Sequence, residues 1–219
     1  MKFAVVIPTY ERPDGKSNEL LIRALNSVRA QTFKNYRIFL VGDKWGKVRE
    51  LKKIADHFAC HCVNLTYAKE REKYAFGDYK LFCAGGVNAT NKGIEIALKE
   101  GYSQICHLDH DDYWREDHLE LISSKVDNYF MVVTRSTYMG GTLPKLDNSR
   151  EFFPVPCGMI HSATCVDFSK TDLRFRDCFE ETGTAWPADA DLWNRLSDKV
   201  AYFINELTCF HDDEGYSLK

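Results

Sequence analysis

Phe3 to Ile7 is an unbroken apolar run, β-branched at Val5, Val6 and Ile7 and stopped by Pro8. Such a run has the form of a strand buried on both faces. A polar loop, Thr9 to Ser17, follows, and then Leu20, Leu21, Ala24, Leu25 and Val28 recur at helical spacing behind Ser17 or Asn18 as cap. Arg37 to Val41 returns to the strand pattern, so the opening stretch spells one β-α-β unit.

The alternation continues. Lys47 to His57 is helical in character, Cys62 to Leu65 suits a third strand, and Tyr67 to Phe82 is aromatic and charged with little periodicity. It reads as a long loop, of the kind that usually carries function. A helix is expected from about Asn88, with Ile94, Ala97 and Leu98 as its buried stripe and Gly101 as its stop; Gln104 to Leu108 follows as a buried strand. Tyr129 to Arg135 and Ala163 to Val166 are strand candidates on either side of a Gly/Pro-rich connection, Gly140 to Pro156, and a late helix starts near Pro187. Strands alternating with helices predict an α/β chain with a mostly parallel central sheet and helices on both faces. Ligands of such sheets bind beyond the carboxyl ends of the strands. Three strand ends carry polar groups: Pro8-Thr9-Tyr10, Gly42-Asp43 and Asp109-His110-Asp111-Asp112.

The 219 residues suffice for one sizeable core, and a single domain is the expected organisation. With 29 Lys and Arg against 32 Asp and Glu, the formal charge is -3 and no basic run is present, which argues against a nucleic-acid partner. The apolar run before Pro8 is too short for a signal-peptide core and no stretch approaches a membrane span, so the expectation is a soluble chain. Eight scattered cysteines without a C-x-x-C pair read as reduced thiols of the cytosol. Cys60-His61-Cys62 lacks the second pair that a zinc site needs.

In extended backbone Asp109 and Asp111 share one face while His110 and Asp112 take the other. Two converging carboxylates raise each other's pKa unless a counter-charge is present, and hard oxygen ligands suit a Mg or Mn ion. The alternative is that Asp111 or Asp112 caps a helix beginning near Arg115.

The order of VVIPTYERP, VGD, NATNKGIEIAL, LDHDD and ADADLWNRL along the chain resembles family 2 glycosyltransferases of the GT-A fold, a Rossmann-like arrangement. The resemblance implies a nucleotide-binding half, about 1–112, and an acceptor-binding half, about 113–219. It implies that Asp109 and Asp111 form the family's DXD pair around His110, with Asp111 as direct metal ligand and Asp109 near the ribose or the metal. Pro8, Thr9, Tyr10, Glu11 and Arg12 match the motif lining the nucleoside pocket, and Asp43 the carboxylate that accepts an N–H of the base. Gly42 stands where the family often has another acid. Asn91 and Gly93 match a helix-start motif, with Thr90 where an Arg is common and Lys92 or Arg12 left to supply a cation near the diphosphate.

Inversion at a sugar needs one carboxylate to take the acceptor hydroxyl's proton. The resemblance places Asp189 in that role, with Ala188 where a Glu is usual. Asp191 lies about 200° further round the helix, so the two acids cannot share one small site. The helix dipole is expected to lower the pKa of Asp189. Trp186 is read either as an apolar wall for a sugar or as core, and with Asp191 it is assigned to the acceptor side. His211, in FHDDEGYS, matches a histidine that related enzymes sometimes place on the metal or in a closing loop.

The sequence thus predicts an inverting, metal-dependent glycosyltransferase using Mn or Mg and a nucleoside diphosphate sugar, with UDP as the first choice. The expected acceptor is a hydroxyl on a glycan, lipid-linked or small molecule, and the expected setting is the cytoplasm, with peripheral membrane association left open. Its rivals are a non-catalytic nucleotide-sugar binding module and a metal-dependent phosphoesterase.

Overall fold

The computed structural model describes residues 1–212. Strand β1 (Phe3–Thr9) is buried along its whole length and runs through Pro8 to Thr9 rather than stopping at the proline. Helix α1 (Ser17–Arg29) buries the expected stripe, but neither Ser17 nor Asn18 caps it. The Ser17 hydroxyl instead accepts the Arg12 N–H at 2.6 Å, folding the preceding loop back on the helix. Strand β2 (Tyr36–Gly42), helix α2 (Val48–His57) and strand β3 (His61–Asn64) follow as predicted within a residue or two.

The expected long loop from Tyr67 to Phe82 contains two short helices, α3 (Lys69–Lys73) and α4 (Tyr79–Ala84), each too short to show a helical period in the sequence. Helix α5 (Val87–Lys99) is stopped by Gly101 at φ +78, a conformation glycine adopts without strain. Strand β4 (Gln104–His107), strand β5 (Tyr113–Trp114) and helix α6 (His118–Ser123) come next. Strands β6 (Met131–Tyr138), β7 (Gly141–Leu143), β8 (Arg150–Phe152) and β9 (Thr164–Asp167), helices α7 (Cys178–Glu181) and α8 (Ala188–Arg195), and strand β10 (Ala201–Phe210) complete the described chain.

All the strands join one sheet in the order β3-β2-β1-β4-β9-β6-β10-β5, with β7 on β6 and β8 on β10. The half from β3 to β4 is parallel as expected. Beyond it the sheet is mixed, since β9 runs antiparallel to both β4 and β6, while β10 is parallel to β6 and antiparallel to β5 and β8. A short connection accounts for only one antiparallel pair, β6 with β7, because a parallel neighbour needs a crossover of a dozen residues or more. The β6–β7 turn has only Met139 and Gly140 between the paired ends, both at positive φ, the type I′ geometry of a tight hairpin.

The core lies on both faces of the sheet. One side gathers Leu21, Leu25, Trp114 and Ile122; the other gathers Ile94, Phe168, Leu192 and Trp193. Helix α5 packs its backbone against β1 at Gly93, where an added Cβ would lie 2.4 Å from Val6 Cγ1.

Candidate active site

The carboxyl ends of β1, β2 and β4 open on a cavity of about 310 Å³. Pro8, Thr9 and Tyr10 come from β1, Asp43 from β2, Asp109, His110 and Asp111 from β4, and Asp189 and His211 reach it from α8 and the end of β10. Polar side chains follow buried strands here because the strand ends are where the backbone leaves the core.

Asp43 is buried, and its Oδ2 accepts Arg71 Nε at 2.9 Å. Its Oδ1 has no partner among the described residues. Burial pushes the Asp43 carboxyl up, and the Arg71 charge opposes that. The same guanidinium lies 3.3 Å from the centre of the Tyr10 ring, and Tyr10 meets His110 edge-on at 5.1 Å. Gly42 cannot be an acid in this arrangement. A Cβ there would sit 2.5 Å from Asn64 Oδ1, and Asn64 is held in place by hydrogen bonds to both the N–H and the carbonyl of Trp45.

Residues 109–112 form a turn, closed by the Asp112 N–H donating to Asp109 O at 3.1 Å, so the extended alternation expected for the acids is not what positions them. Each acid has its own cationic neighbour. Asp109 Oδ1 lies 3.1 Å from His161 Nε2, Asp111 Oδ2 accepts Arg12 Nη1 at 3.0 Å, and Asp112 Oδ1 is 2.9 Å from His211 Nδ1. Neither Asp111 nor Asp112 caps a helix; β5 follows, and the residue ahead of α6 is Asp117. Burial alone would raise the Asp109 carboxyl, but the His161 charge holds it below the ordinary range. Burial would lower both imidazoles, yet Asp109 raises His161 to about 9 and Asp112 does the same for His211. The rest of the FHDDEGYS stretch, from 213 onward, lies outside the described residues.

Asp109 and Asp111 line one cavity with His211 and offer oxygen donors of the kind that Mn and Mg accept, whereas the His211 imidazole, raised to about 9 by Asp112, has to lose a proton before it can ligate. Among the described residues no three such groups are gathered to hold a metal ion. The set therefore fits a cation bound by one or two carboxylates and completed by substrate phosphate, which is how Mg is usually held, and does not fit an all-protein cage.

Asp189 sits in the first turn of α8, half-buried, with Oδ1 accepting the Ala190 N–H at 2.7 Å. Burial raises its pKa, against the expectation that the helix dipole would lower it, while the His161 charge pulls the other way. Loss of solvent outweighs the dipole at this position.

Five expected site residues stand elsewhere. Glu11 Oε2 accepts the Gly46 N–H at 2.6 Å, away from the cavity lining. Asn91 is a clamp, donating to Phe175 O at 2.8 Å and accepting the Phe175 N–H at 3.1 Å. Lys92 pairs with Glu95 at 3.0 Å on the α5 surface. Asp191 is buried between Arg176 and Arg195, both within 2.9 Å, so its carboxylate locks α8 to the preceding segment and does not face an acceptor. Trp186 is 42% exposed, hence not core, and it lies outside the lining of the cavity. Arg12 reaches the site through Asp111. Conversely, sequence reasoning did not find Arg71, His161 or Ser162, whose Oγ accepts the Asp109 N–H at 3.0 Å. No periodicity or neighbouring motif marks them.

Comparison with known proteins bears on the family and the fold. The sequence model of glycosyl transferase family 2 matches residues 4–192. The uncharacterised glycosyltransferase R139 of Acanthamoeba polyphaga mimivirus is 30% identical across 98% of this chain and 95% of its own length. The amylovoran biosynthesis glycosyltransferase AmsB of Erwinia amylovora is 26% identical over 55% of this chain and 34% of its own. Among solved structures, TarS 1-349 of S. aureus in complex with UDP-GlcNAc superposes with a TM-score of 0.71 at 14% identity over the whole of this chain, and its complex with UDP with a TM-score of 0.69. This chain spans 60% of that TarS fragment. The likeness to TarS shows the GT-A fold, and the match over residues 4–192 together with the R139 identity shows that the chain is a glycosyltransferase and belongs to glycosyl transferase family 2.

Proposed function

We propose that the protein transfers a sugar from UDP to a hydroxyl acceptor with inversion, in a reaction that uses Mn or Mg. The observation that carries this reading is that Asp189, a carboxylate with raised basicity, lines the same cavity as Asp43, Asp109 and Asp111. Asp43 Oδ1, without a partner among the described residues, would accept the N–H that uracil offers and adenine lacks, which supports this choice of base. The UDP and UDP-GlcNAc complexes of TarS support a uridine nucleotide in this fold.

In the proposed step Asp189 takes the proton of the acceptor hydroxyl while that oxygen attacks the anomeric carbon. The bond to the nucleotide breaks on the opposite side, and one displacement leaves the sugar inverted. Asp111 and Asp109, with His211 beside them, would hold the metal ion, which when bound supplies positive charge to the departing diphosphate. Arg12 holds Asp111 in place. A nucleotide-sugar panel scored by thermal stabilisation with and without Mn tests the donor. UDP-sugars are expected to stabilise most, and only with the ion; NMR of the product is expected to show the opposite anomeric configuration to the donor. Retention, or equal stabilisation by adenine and uridine nucleotides, would overturn the reading.

A further inference from the structure

The cavity continues past Asp189. Across Tyr138, Met139, Leu143 and Cys157 it opens into a trough of about 600 Å³ carried by the segment 138–158. The trough walls are mostly apolar, with Pro144, Leu146, Phe152, Phe153 and Val155 among them, and among the described residues Lys145 is the one charged side chain in the lining. Phe153 is 57% and Val155 53% exposed, an arrangement that leaves large apolar surface facing water unless something covers it.

This trough is built and held. Arg135 on β6 donates to Pro144 O at 2.8 Å, to Thr142 Oγ1 at 3.2 Å and to Leu146 O. Asn205 on β10 accepts Arg135 Nε at 2.9 Å and passes its own amide to Asp147 O at 2.8 Å. A loop fixed to two strands by a buried-side guanidinium costs little ordering entropy when a ligand arrives. Its chemistry selects the ligand. A wholly carbohydrate acceptor laid here would meet Tyr138, Thr142 and Lys145 as polar side chains and turn its other hydroxyls to Leu, Pro, Phe and Val, where burial without a partner is costly. An aryl or alkyl group would gain from every carbon it buries.

We propose that the trough is an aglycone subsite, taking an aryl or alkyl group attached to the acceptor so that the acceptor hydroxyl points back toward Asp189. This rests on the reading of the cavity as the donor site. The test uses octyl and methyl β-D-glucopyranoside, titrated by ligand-observed NMR with the octyl compound below its micelle concentration, into the parent protein and into Phe153→Asp/Val155→Asp. Both positions are exposed, so the variant is expected to fold, with UDP affinity by calorimetry unchanged. The parent should bind octyl glucoside at least about tenfold more tightly than methyl glucoside, and the variant should lose that preference to within about twofold. Equal affinity for the two glucosides in the parent, or a preference that survives in the variant, overturns the proposal. Failure of the parent to bind UDP overturns the donor reading instead, and the glucoside comparison does not depend on it.

Discussion

Arg71 donates to Asp43 Oδ2 at 2.9 Å and leaves the other carboxylate oxygen buried without a partner. The arrangement fixes the direction of the remaining lone pairs, and the Arg71 charge opposes the rise in pKa that burial causes. Arg71→Met removes both effects while preserving length. UDP affinity measured by calorimetry is expected to fall by about tenfold or more, the scale of one charge-assisted hydrogen bond. Unchanged affinity would show that Asp43 orients itself.

A second expectation concerns the metal. Manganese should raise UDP affinity in the parent protein, and Asp111→Ala should abolish that gain. Titrations with and without the ion that coincide in the parent would remove the metal from the proposed reaction.

Asp189→Asn should keep donor binding and lose at least about 10²-fold in transfer, the scale of a missing general base. The base must be unprotonated to act, and burial raises its pKa above that of an ordinary aspartate. Transfer by the parent is therefore expected to decline on acidification at a higher pH than a solvent-exposed aspartate would give. A rate profile flat down to pH 4 would exclude Asp189 from the role.

Glu70, on α3, is buried, and burial pushes its carboxyl up to about 7, with backbone N–H groups of Glu70 and Asn88 opposing. Its folded pKa exceeds the unfolded value of about 4.5, so folding favours the protonated form. The stabilising contribution is complete below about pH 4.5 and is lost as pH rises through about 7. Glu70→Gln should flatten this slope, becoming relatively more stable than the parent at pH 8 than at pH 5 in denaturant titrations. Parallel pH dependences would refute it.

Gly93→Ala places a Cβ 2.4 Å from Val6 Cγ1 in the α5–β1 interface. The expected cost is about 1–3 kcal/mol of stability, read as a lower Tm. Val6→Ala in the same chain should recover part of it.

The sequence made β1, α1, β2 and α5 legible because each carries a long apolar pattern of one period. Helices α3 and α4 span less than two turns and show none. Strand β10 escaped notice because its pairing with β6 shifts register around Asn205 and Glu206, so its alternation breaks. Of the residues the motifs single out, Asp43, Asp109, Asp111, Asp189 and His211 line one cavity. Asn91 and Asp191 show the limit of the method. A polar residue near a helix start reads alike whether it meets a substrate, the backbone of Phe175 or a pair of arginines, and only the folded chain distinguishes these. Arg71 and His161 come from segments remote in sequence from the acids they touch, at Asp43 and Asp109.

Strand β10 is bonded to β5, β6 and β8 together, elements made 49 to 97 residues before their β10 partners. During synthesis those earlier strands have to wait for residues 201–210 to leave the ribosome before their shared edge is filled. Over that interval β5, β6 and β8 lack the strand that joins them, and open strand edges of this kind are what makes a folding intermediate prone to aggregate.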